Sequence, residues 1–332
     1  MIVLVVGMRD ESSKVSGERI VQDLQEKRNL PLDVKVLLTK TRILQWYEEY
    51  KGNVYVSFSG GKDSTVLLHL VRSLFPDVLA VYIDTGLEYK EVRNFVATVN
   101  NVRWIKPKYS FIEVIKKYGY PVVSKEQSQY IGEYRTTKSE KLKDIRWNGN
   151  KYGRGKISEK WKFLVNAPFK IGSQCCTVMK KNPSKKFEKE TGLKPYLATM
   201  TEESALRKSS WIRFGCNGFK KKRPTSQPMS FWTEQDVLQY IAENNLPYAA
   251  CYGDIVKDEN GKYHTTLCDR TGCEFCLYGI QADSCPNRLQ RIKKMHPKRY
   301  EFIMRSCDEG GLGYKDVIDW INKNGDVNIE YD

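Results

Sequence analysis

The chain has 332 residues, of which 40% are hydrophobic and 12% aromatic, so it can form one large or two smaller folded domains. This composition excludes a chain that is disordered over most of its length. Its 55 basic and 40 acidic residues give a formal net charge of +15, which favours polyanionic partners. Nucleotides, sulfated nucleotides and nucleic acids all belong to that class.

The apolar opening at residues 1–6 is too short for the core of a signal peptide. No other segment approaches the roughly 20 apolar residues that cross a bilayer. We therefore expect a cytoplasmic protein without a membrane partner. The nine cysteines are then expected to be reduced thiols or metal ligands rather than a disulfide framework.

Helical and strand-like patterns alternate through the first third of the chain. We predict helices at about 33–50, 64–74 and 88–99, and strands at about 54–58, 78–83 and 102–105. Such alternation predicts right-handed βαβ units on a parallel sheet, an α/β Rossmann-like fold. The loops after the strands then form a crevice for a ligand.

Residues 138–162 differ from their surroundings because nine basic residues face only three acidic ones. We interpret them as a basic insertion. The predicted organisation is an N-terminal extension at 1–34, a nucleotide-binding α/β domain at 35–215 that contains the insertion, and a smaller cysteine-bearing region at 216–332.

A glycine-rich turn joins the first predicted strand to the next helix. Its sequence is Ser59-Gly60-Gly61-Lys62-Asp63-Ser64, followed by Thr65. Backbone N–H groups at such a helix start converge on an anion, and glycine allows the ligand a close approach. Lys62 adds a positive charge, the hydroxyl groups can donate to phosphate, and Asp63 can orient Mg²⁺ or cap the helix. The turn therefore predicts a phosphate site.

Two familiar phosphate-binding motifs do not fit this turn. A Walker A loop requires glycine at the position of Val56 and Ser or Thr at that of Asp63, and the dinucleotide motif Gly-x-Gly-x-x-Gly is not matched either. An ordinary strand-to-helix turn, with no ligand, remains the alternative.

Five cysteines are grouped in a way that is typical of metal ligands. They are the adjacent pair Cys175 and Cys176, and the downstream Cys268, Cys273 and Cys276. The Cys-x-x-Cys spacing lets both sulfurs point at one ion or cluster. An iron–sulfur cluster, a zinc site, and reduced structural or redox-active thiols all remain open. Since four ligands suffice, we expect Cys175 or Cys268 to lie outside the ligand set.

The phosphate loop and the later Asp84-Thr85-Gly86 together resemble the pyrophosphatase-type loop of adenine-nucleotide α-hydrolases. Within that superfamily the chain is similar to the phosphoadenosine phosphosulfate reductase family, which Glu203-Ser204-x-x-Arg207 and residues 227–237 also resemble. The resemblance implies that the loop binds ATP or an adenylated sulfonucleotide with Mg²⁺. It also favours a [4Fe–4S] cluster over zinc at the cysteines.

The resemblance further implies roles for individual residues. Those expected to act in catalysis are Lys62, Asp63 and Arg207. Those expected to contact the nucleotide are Ser57, Ser59, Gly60, Gly61, Lys62, Asp63, Ser64, Thr65, Asp84, Thr85, Gly86, Glu203 and Arg207.

The reductases of this family carry an attacking cysteine in a C-terminal tail, whereas no cysteine follows Cys307 here. We therefore favour an ATP pyrophosphatase that adenylates an acceptor and accepts sulfur from a donor protein. The basic insertion favours tRNA or DNA as that acceptor, with a small molecule as the other choice. The alternatives are a sulfonucleotide reductase served by a thiol reductant protein, with Cys307 as a candidate nucleophile, and a nucleotide-binding iron–sulfur redox sensor.

Overall fold

A parallel sheet lies at the centre of the computed structural model, which describes residues 17–332. Residues 1–16, which make up part of the predicted N-terminal extension, lie outside the described residues. The strands are β1 Val54–Ser57, β2 Ala80–Ile83, β3 Val102–Ile105, β4 Val122–Val123, β5 Lys194–Tyr196, β6 Asn217–Gly218, β7 Thr225–Ser226, β8 Ile255–Lys257, β9 Tyr263–Thr265 and β10 Leu277–Tyr278. The main sheet has the order β3-β2-β1-β5-β7-β6, and only the β6–β7 pair is antiparallel.

Helices cover the sheet and form most of the remaining chain. They are α1 Gly17–Arg28, α2 Leu32–Glu49, α3 Lys62–Arg72, α4 Lys90–Thr98, α5 Phe111–Tyr118, α6 Lys125–Thr136, α7 Glu140–Asn148, α8 Asn182–Thr191, α9 Ala205–Phe214, α10 Glu234–Glu243, α11 Arg288–Met295, α12 Pro297–Met304 and α13 Tyr314–Asn324. In this part of the chain, no helix combines the length and the apolar character that crossing a membrane requires.

The predicted α/β fold is confirmed in the first third of the chain. The three predicted strands are β1, β2 and β3, and the three predicted helices are α2, α3 and α4, with ends that differ by a few residues. All of β1 except its last residue is buried, because helices cover both faces of a parallel sheet. The carboxyl ends of β1 and β2 are therefore adjacent, as the sequence predicts for its ligand crevice.

Two large apolar cores and a small third cluster, formed by Tyr55, Val81 and Phe187, hold the described chain together. The first, here called the sheet core, packs α2, α3 and α10 on the main sheet around Trp46 and Trp232. The second, here called the cysteine-side core, packs α5, α11, α12 and α13. Within it β4 pairs with β10 in parallel, with Val122 beside Leu277. The buried Tyr314 of α13 donates a hydrogen bond to the carbonyl of Phe275.

Candidate functional site

The phosphate loop is closed by its own hydroxyl groups. The N–H of Ser59 donates to Ser64 Oγ at 3.2 Å, and Ser64 Oγ donates to the carbonyl of Gly61 at 2.9 Å. Gly60 has a φ of 73°, and a Cβ there would lie 2.6 Å from a methyl group of Val96. Only glycine fits that position, because a side chain would be strained in its backbone and would clash with α4.

Lys62 begins α3 with its side chain only 5% exposed. Its Nζ donates to the carbonyl of Asp269 at 2.7 Å and lies 3.0 Å from Glu234 Oε1. Its backbone N–H donates to the hydroxyl of Tyr252 at 3.2 Å. Segments nearly 200 residues downstream therefore hold the lysine at the start of the helix.

Asp63 is the acidic residue of the phosphate loop, and one of its two carboxyl oxygens lacks a hydrogen-bond partner among the described residues. That oxygen, Oδ1, is buried. Burial raises the pKa of Asp63, while the charges of Lys62, Arg270 and Arg207 lower it. A carboxylate oxygen beside a phosphate site matches the way proteins hold Mg²⁺, through one or two carboxylates and the phosphates of the substrate. Asp63 therefore fits the role of a magnesium ligand.

Arg207 lies close enough to Asp63 for their charges to interact. Its guanidinium group forms an ion pair with Glu203, four residues earlier. Glu203 is fixed in turn, because its Oε2 accepts the N–H of Met200 at 2.9 Å. Burial lowers the pKa of Arg207, but the group stays cationic near neutral pH. The predicted Glu203–Arg207 element thus lies near the phosphate loop.

The loop after β2 contains the other predicted nucleotide contacts. Asp84 is buried, and its Oδ2 accepts from Arg93 Nε at 3.3 Å. Thr85 Oγ1 donates to the carboxylate of Glu88 at 2.9 Å. Gly86 has a φ of 73°. These contacts fix the loop beside the phosphate loop, at the edge of the sheet where the two strands end.

A cavity of about 210 Å³, here called the nucleotide cavity, opens at the carboxyl ends of β1 and β2. Its polar and charged lining residues include Ser57, Ser59, Glu88, Lys180, Lys181 and Arg223. Of the predicted nucleotide contacts, only Ser57 and Ser59 line it. The three cationic side chains lie outside the two loops: Lys180 and Lys181 follow the paired cysteines, and Arg223 precedes β7. Positive charge around a cavity at the start of a helix suits an anionic nucleotide.

Three of the five candidate cysteines, Cys175, Cys176 and Cys273, lie in or against the cysteine-side core, and Cys276 is close enough to interact with them electrostatically. The sulfur atoms of Cys175 and Cys176 are 3.9 Å apart, and the charges of Cys176 and Cys276 interact. Lys180 forms a hydrogen bond with Cys273. The hydrogen bond with Cys175, with further help from nearby lysines, lowers the pKa of Cys176 to about 6.

Cys268 lies apart from those four thiols, in the sheet core. Its Sγ donates to the carbonyl of Cys251 at 2.9 Å. Between residues 17 and 332, no three His, Cys, Asp or Glu side chains are arranged to hold a metal ion. The thiols that the fold gathers are those of Cys175, Cys176, Cys273 and Cys276.

Comparison with known families agrees with this geometry. The chain matches the phosphoadenosine phosphosulfate reductase domain over residues 53–146 and 104–277, which together span more than half of its length. The chain belongs to this family. The family resemblance inferred from the phosphate loop is thereby confirmed, whereas the iron–sulfur cluster stays a prediction.

The chain is similar to proteins named as adenosine 5'-phosphosulfate reductases. The adenosine 5'-phosphosulfate reductase of Lysinibacillus sphaericus is 26% identical over 208 residues, which cover 62% of this chain and 71% of the relative. Adenosine 5'-phosphosulfate reductase 2 of Bacillus subtilis is 25% identical over 242 residues, or 72% of this chain and 79% of the relative.

Two further matches are a longer, uncharacterised protein and a solved structure. An uncharacterised protein of Methanocaldococcus jannaschii is 26% identical over 77% of this chain, which spans only 41% of that longer protein. Among solved structures, the phosphoadenylyl-sulfate reductase of Candida auris, in a phosphate complex, is 17% identical with a TM-score of 0.40. That match covers 76% of this chain and 99% of the other.

Proposed function

We propose that the protein is a sulfonucleotide reductase, which binds an adenylated sulfate at the phosphate loop and releases sulfite with electrons from thiols. The cationic cavity at the carboxyl ends of β1 and β2 supports this proposal. From the sequence alone, an ATP pyrophosphatase is the favoured function and the reductase is the alternative. The named relatives favour the reductase, because they are adenosine 5'-phosphosulfate reductases.

The residues of the loop bind and orient the substrate. The first turn of α3 offers its N–H groups, other than that of Lys62, to the phosphate, and Lys62 and Arg207 neutralise the negative charge that builds up as the sulfate is transferred. Asp63 would hold Mg²⁺, which would supply positive charge beside the anionic oxygens of the substrate. The fixed partners of Lys62 matter here, because a positioned charge in a buried site stabilises developing charge more than a mobile one does.

The four gathered thiols are the ligands that we propose for a [4Fe–4S] cluster, with zinc as the alternative. Their number and type match, since such clusters are held by four cysteine thiolates, although the four are not arranged around one metal position in this structure. Cys175, Cys176, Cys273 and Cys276 would hold the cluster, which would supply redox chemistry. Lys180 contacts Cys273 and also lines the nucleotide cavity, so its charge lies between the two sites.

The second candidate function is the ATP pyrophosphatase that transfers sulfur to a nucleic acid. The basic insertion supports it, because six cationic side chains there are exposed and have no ion-pair partner within residues 17–332. They are Lys138, Lys141, Lys151, Arg154, Lys156 and Lys160. Tyr152 lies among them with 71% of its surface exposed. Basic side chains bind phosphates, and an exposed aromatic ring can stack on a base.

The two functions release different products from different substrates. We expect the anaerobically purified protein to release sulfite from adenylyl sulfate in the presence of a dithiol, and to release no pyrophosphate from ATP. Pyrophosphate release from ATP that rises with added tRNA or DNA would establish the second function instead. Tight nucleotide binding with neither product would support the redox sensor.

A further inference from the structure

A pair of buried thiols lies beside the phosphate loop. Cys268 is 5% exposed and Cys251 is 1% exposed. Besides the bond from Cys268 Sγ to the carbonyl of Cys251, the two thiols share a hydrogen bond, which raises the pKa of Cys251. The two cysteines therefore come from segments 17 residues apart and lie within hydrogen-bonding reach of each other.

Each member of this pair is followed in sequence by a residue that holds Lys62. After Cys251 comes Tyr252, whose hydroxyl accepts the backbone N–H of Lys62 and bonds to Thr271 Oγ1 at 2.7 Å. After Cys268 comes Asp269, whose carbonyl accepts from Lys62 Nζ at 2.7 Å. The thiol pair is therefore connected directly to the group that binds the phosphate.

Cys268 also lines the larger of the two cavities near the loop, with a volume of about 530 Å³. Gly272 lines both this cavity and the nucleotide cavity, so the two cavities meet at this residue. Asp269 and Glu234, the two partners of Lys62 Nζ, lie on the larger cavity. Cys268 is close enough to Lys62 for their charges to interact, so a sulfate that approaches Lys62 from the larger cavity also approaches Cys268.

The surroundings of Cys268 favour its thiolate form. The hydrogen bond from Cys251 lowers the pKa of Cys268, and the charges of Arg291 and Lys62 lower it further. Arg291 lines the same cavity, and its buried Nε has no hydrogen-bond partner among the described residues. Such a guanidinium N–H can donate to a sulfate oxygen, since arginine binds tetrahedral anions through its fixed donors.

We propose that Cys268 and Cys251 are the dithiol that reduces the substrate, with Cys268 as the nucleophile and Cys251 as the resolving thiol. This assignment rests on the proposed reductase function.

The chemistry proceeds in two balanced displacements. The thiolate of Cys268 attacks the sulfur of adenylyl sulfate, the bond between that sulfur and the phosphate oxygen breaks, and AMP leaves with the bonding electrons. The product on the protein is a cysteine S-sulfonate. The thiolate of Cys251 then attacks Cys268 Sγ, which forms a disulfide and releases sulfite with the electron pair. Two thiols lose two electrons and their protons, and an external dithiol restores them.

A single-turnover experiment tests this assignment. The full chain is reduced anaerobically, freed of dithiol and mixed with adenylyl sulfate. The released sulfite is then quantified, and peptide mass spectrometry determines the state of each cysteine. We expect wild type to give a stoichiometric burst of sulfite and a Cys251–Cys268 disulfide. Cys251→Ser should instead accumulate the S-sulfonate on Cys268 without releasing sulfite. Cys268→Ser should give neither product.

Cys307→Ser is the matched control, because Cys307 is exposed, lies 3.3 Å from the hydroxyl of Tyr120 and lines neither cavity. It should react like wild type. A burst that survives in Cys268→Ser, or a wild-type disulfide or S-sulfonate on another cysteine, would overturn the dithiol while leaving the reductase function in place. No sulfite from wild type, even with dithiol present, would refute the reductase function itself.

Loss of folding in Cys268→Ser would not obscure the result. AMP binding and thermal unfolding report on the fold of each variant, and the peptide map of the wild-type protein decides the question without any variant. The S-sulfonate site in that map is a direct readout that a purely structural role of Cys268 cannot produce.

Discussion

The sheet core and the cysteine-side core are built in opposite ways. In the sheet core, β1, α3 and β2 follow one another in sequence and pack as direct neighbours, so the phosphate loop is determined locally. The cysteine-side core joins distant segments, such as Val122 of β4 and Leu277 of β10. The backbone of the phosphate loop is therefore set by one short segment, whereas the side chains around it and the thiol site both depend on the complete tertiary fold.

The largest effect is expected from removing one of the four gathered thiols. Cys276→Ala should abolish the visible absorbance of thiolate-bound iron in anaerobically purified protein, because the cluster loses a ligand. Nucleotide binding should persist, since the loop belongs to the other core. Absorbance spectra, iron analysis and a nucleotide titration measure both effects. The control Cys216→Ala, in the sheet core, should keep the absorbance. Zinc in place of iron in the wild type would contradict the cluster.

Lys62→Gln tests the phosphate loop alone. We expect kcat/KM for the nucleotide substrate to fall by about 100- to 1,000-fold, because one preorganised positive group is lost. The absorbance of the cluster should remain unchanged. Lys90→Gln, at the exposed start of α4, is the matched control and should have wild-type activity. Equal losses in the two variants would show that overall charge, rather than position, sets the rate.

Gly60→Ala tests how tightly α4 packs on the loop. The left-handed backbone and the contact with Val96 should together lower the free energy of unfolding by about 2–4 kcal/mol. Gly192 ends α8 with a φ of 76° and with no atom within 4 Å of an added Cβ. Gly192→Ala should therefore cost only about 1 kcal/mol, the backbone contribution. Chemical denaturation measures both, and similar losses would rule out the close packing at Gly60.

The smallest effect is expected at the start of α10. Thr233 Oγ1 accepts the N–H of Asp236, so Thr233→Ala should lower the free energy of unfolding by about 1 kcal/mol through loss of this cap. Thr136→Ala is the control: this exposed threonine donates only to the carbonyl of Gly132 within its own helix. It should leave the denaturation midpoint unchanged, because such a bond adds little to helix stability.

The sequence predicts the local parts of the molecule well and the distant contacts poorly. The phosphate loop could be predicted because glycines, hydroxyls and a lysine follow one another between a strand and a helix. The partners of Lys62 could not, since Tyr252 lies 190 residues and Asp269 207 residues away. No spacing rule connects them. For the same reason the spacing of the cysteines does not indicate that Cys251 contacts Cys268.

The cysteines show which contacts a sequence motif predicts and which it does not. The Cys-x-x-Cys spacing indicates that Cys273 and Cys276 act together, because two intervening residues fix their separation. Whether Cys175 or Cys268 completes the set is a question of tertiary packing. The fold places Cys175 with the others and Cys268 beside the phosphate loop.

The helical turn Thr177–Lys181 follows the paired cysteines and has π-helical geometry, in which the N–H of Asn182 bonds to the carbonyl of Thr177. Each residue of such a turn rotates less about the axis than in an α-helix, so Lys180 and Lys181 both reach the nucleotide cavity. Such a turn holds one residue more than an α-helical turn, because its hydrogen bond spans five residues instead of four. Deleting one residue there would restore the α-helical hydrogen-bond pattern and leave the cysteines on nearly the same face of the helix. The extra residue thus lets two adjacent lysines line the nucleotide cavity directly after the paired cysteines.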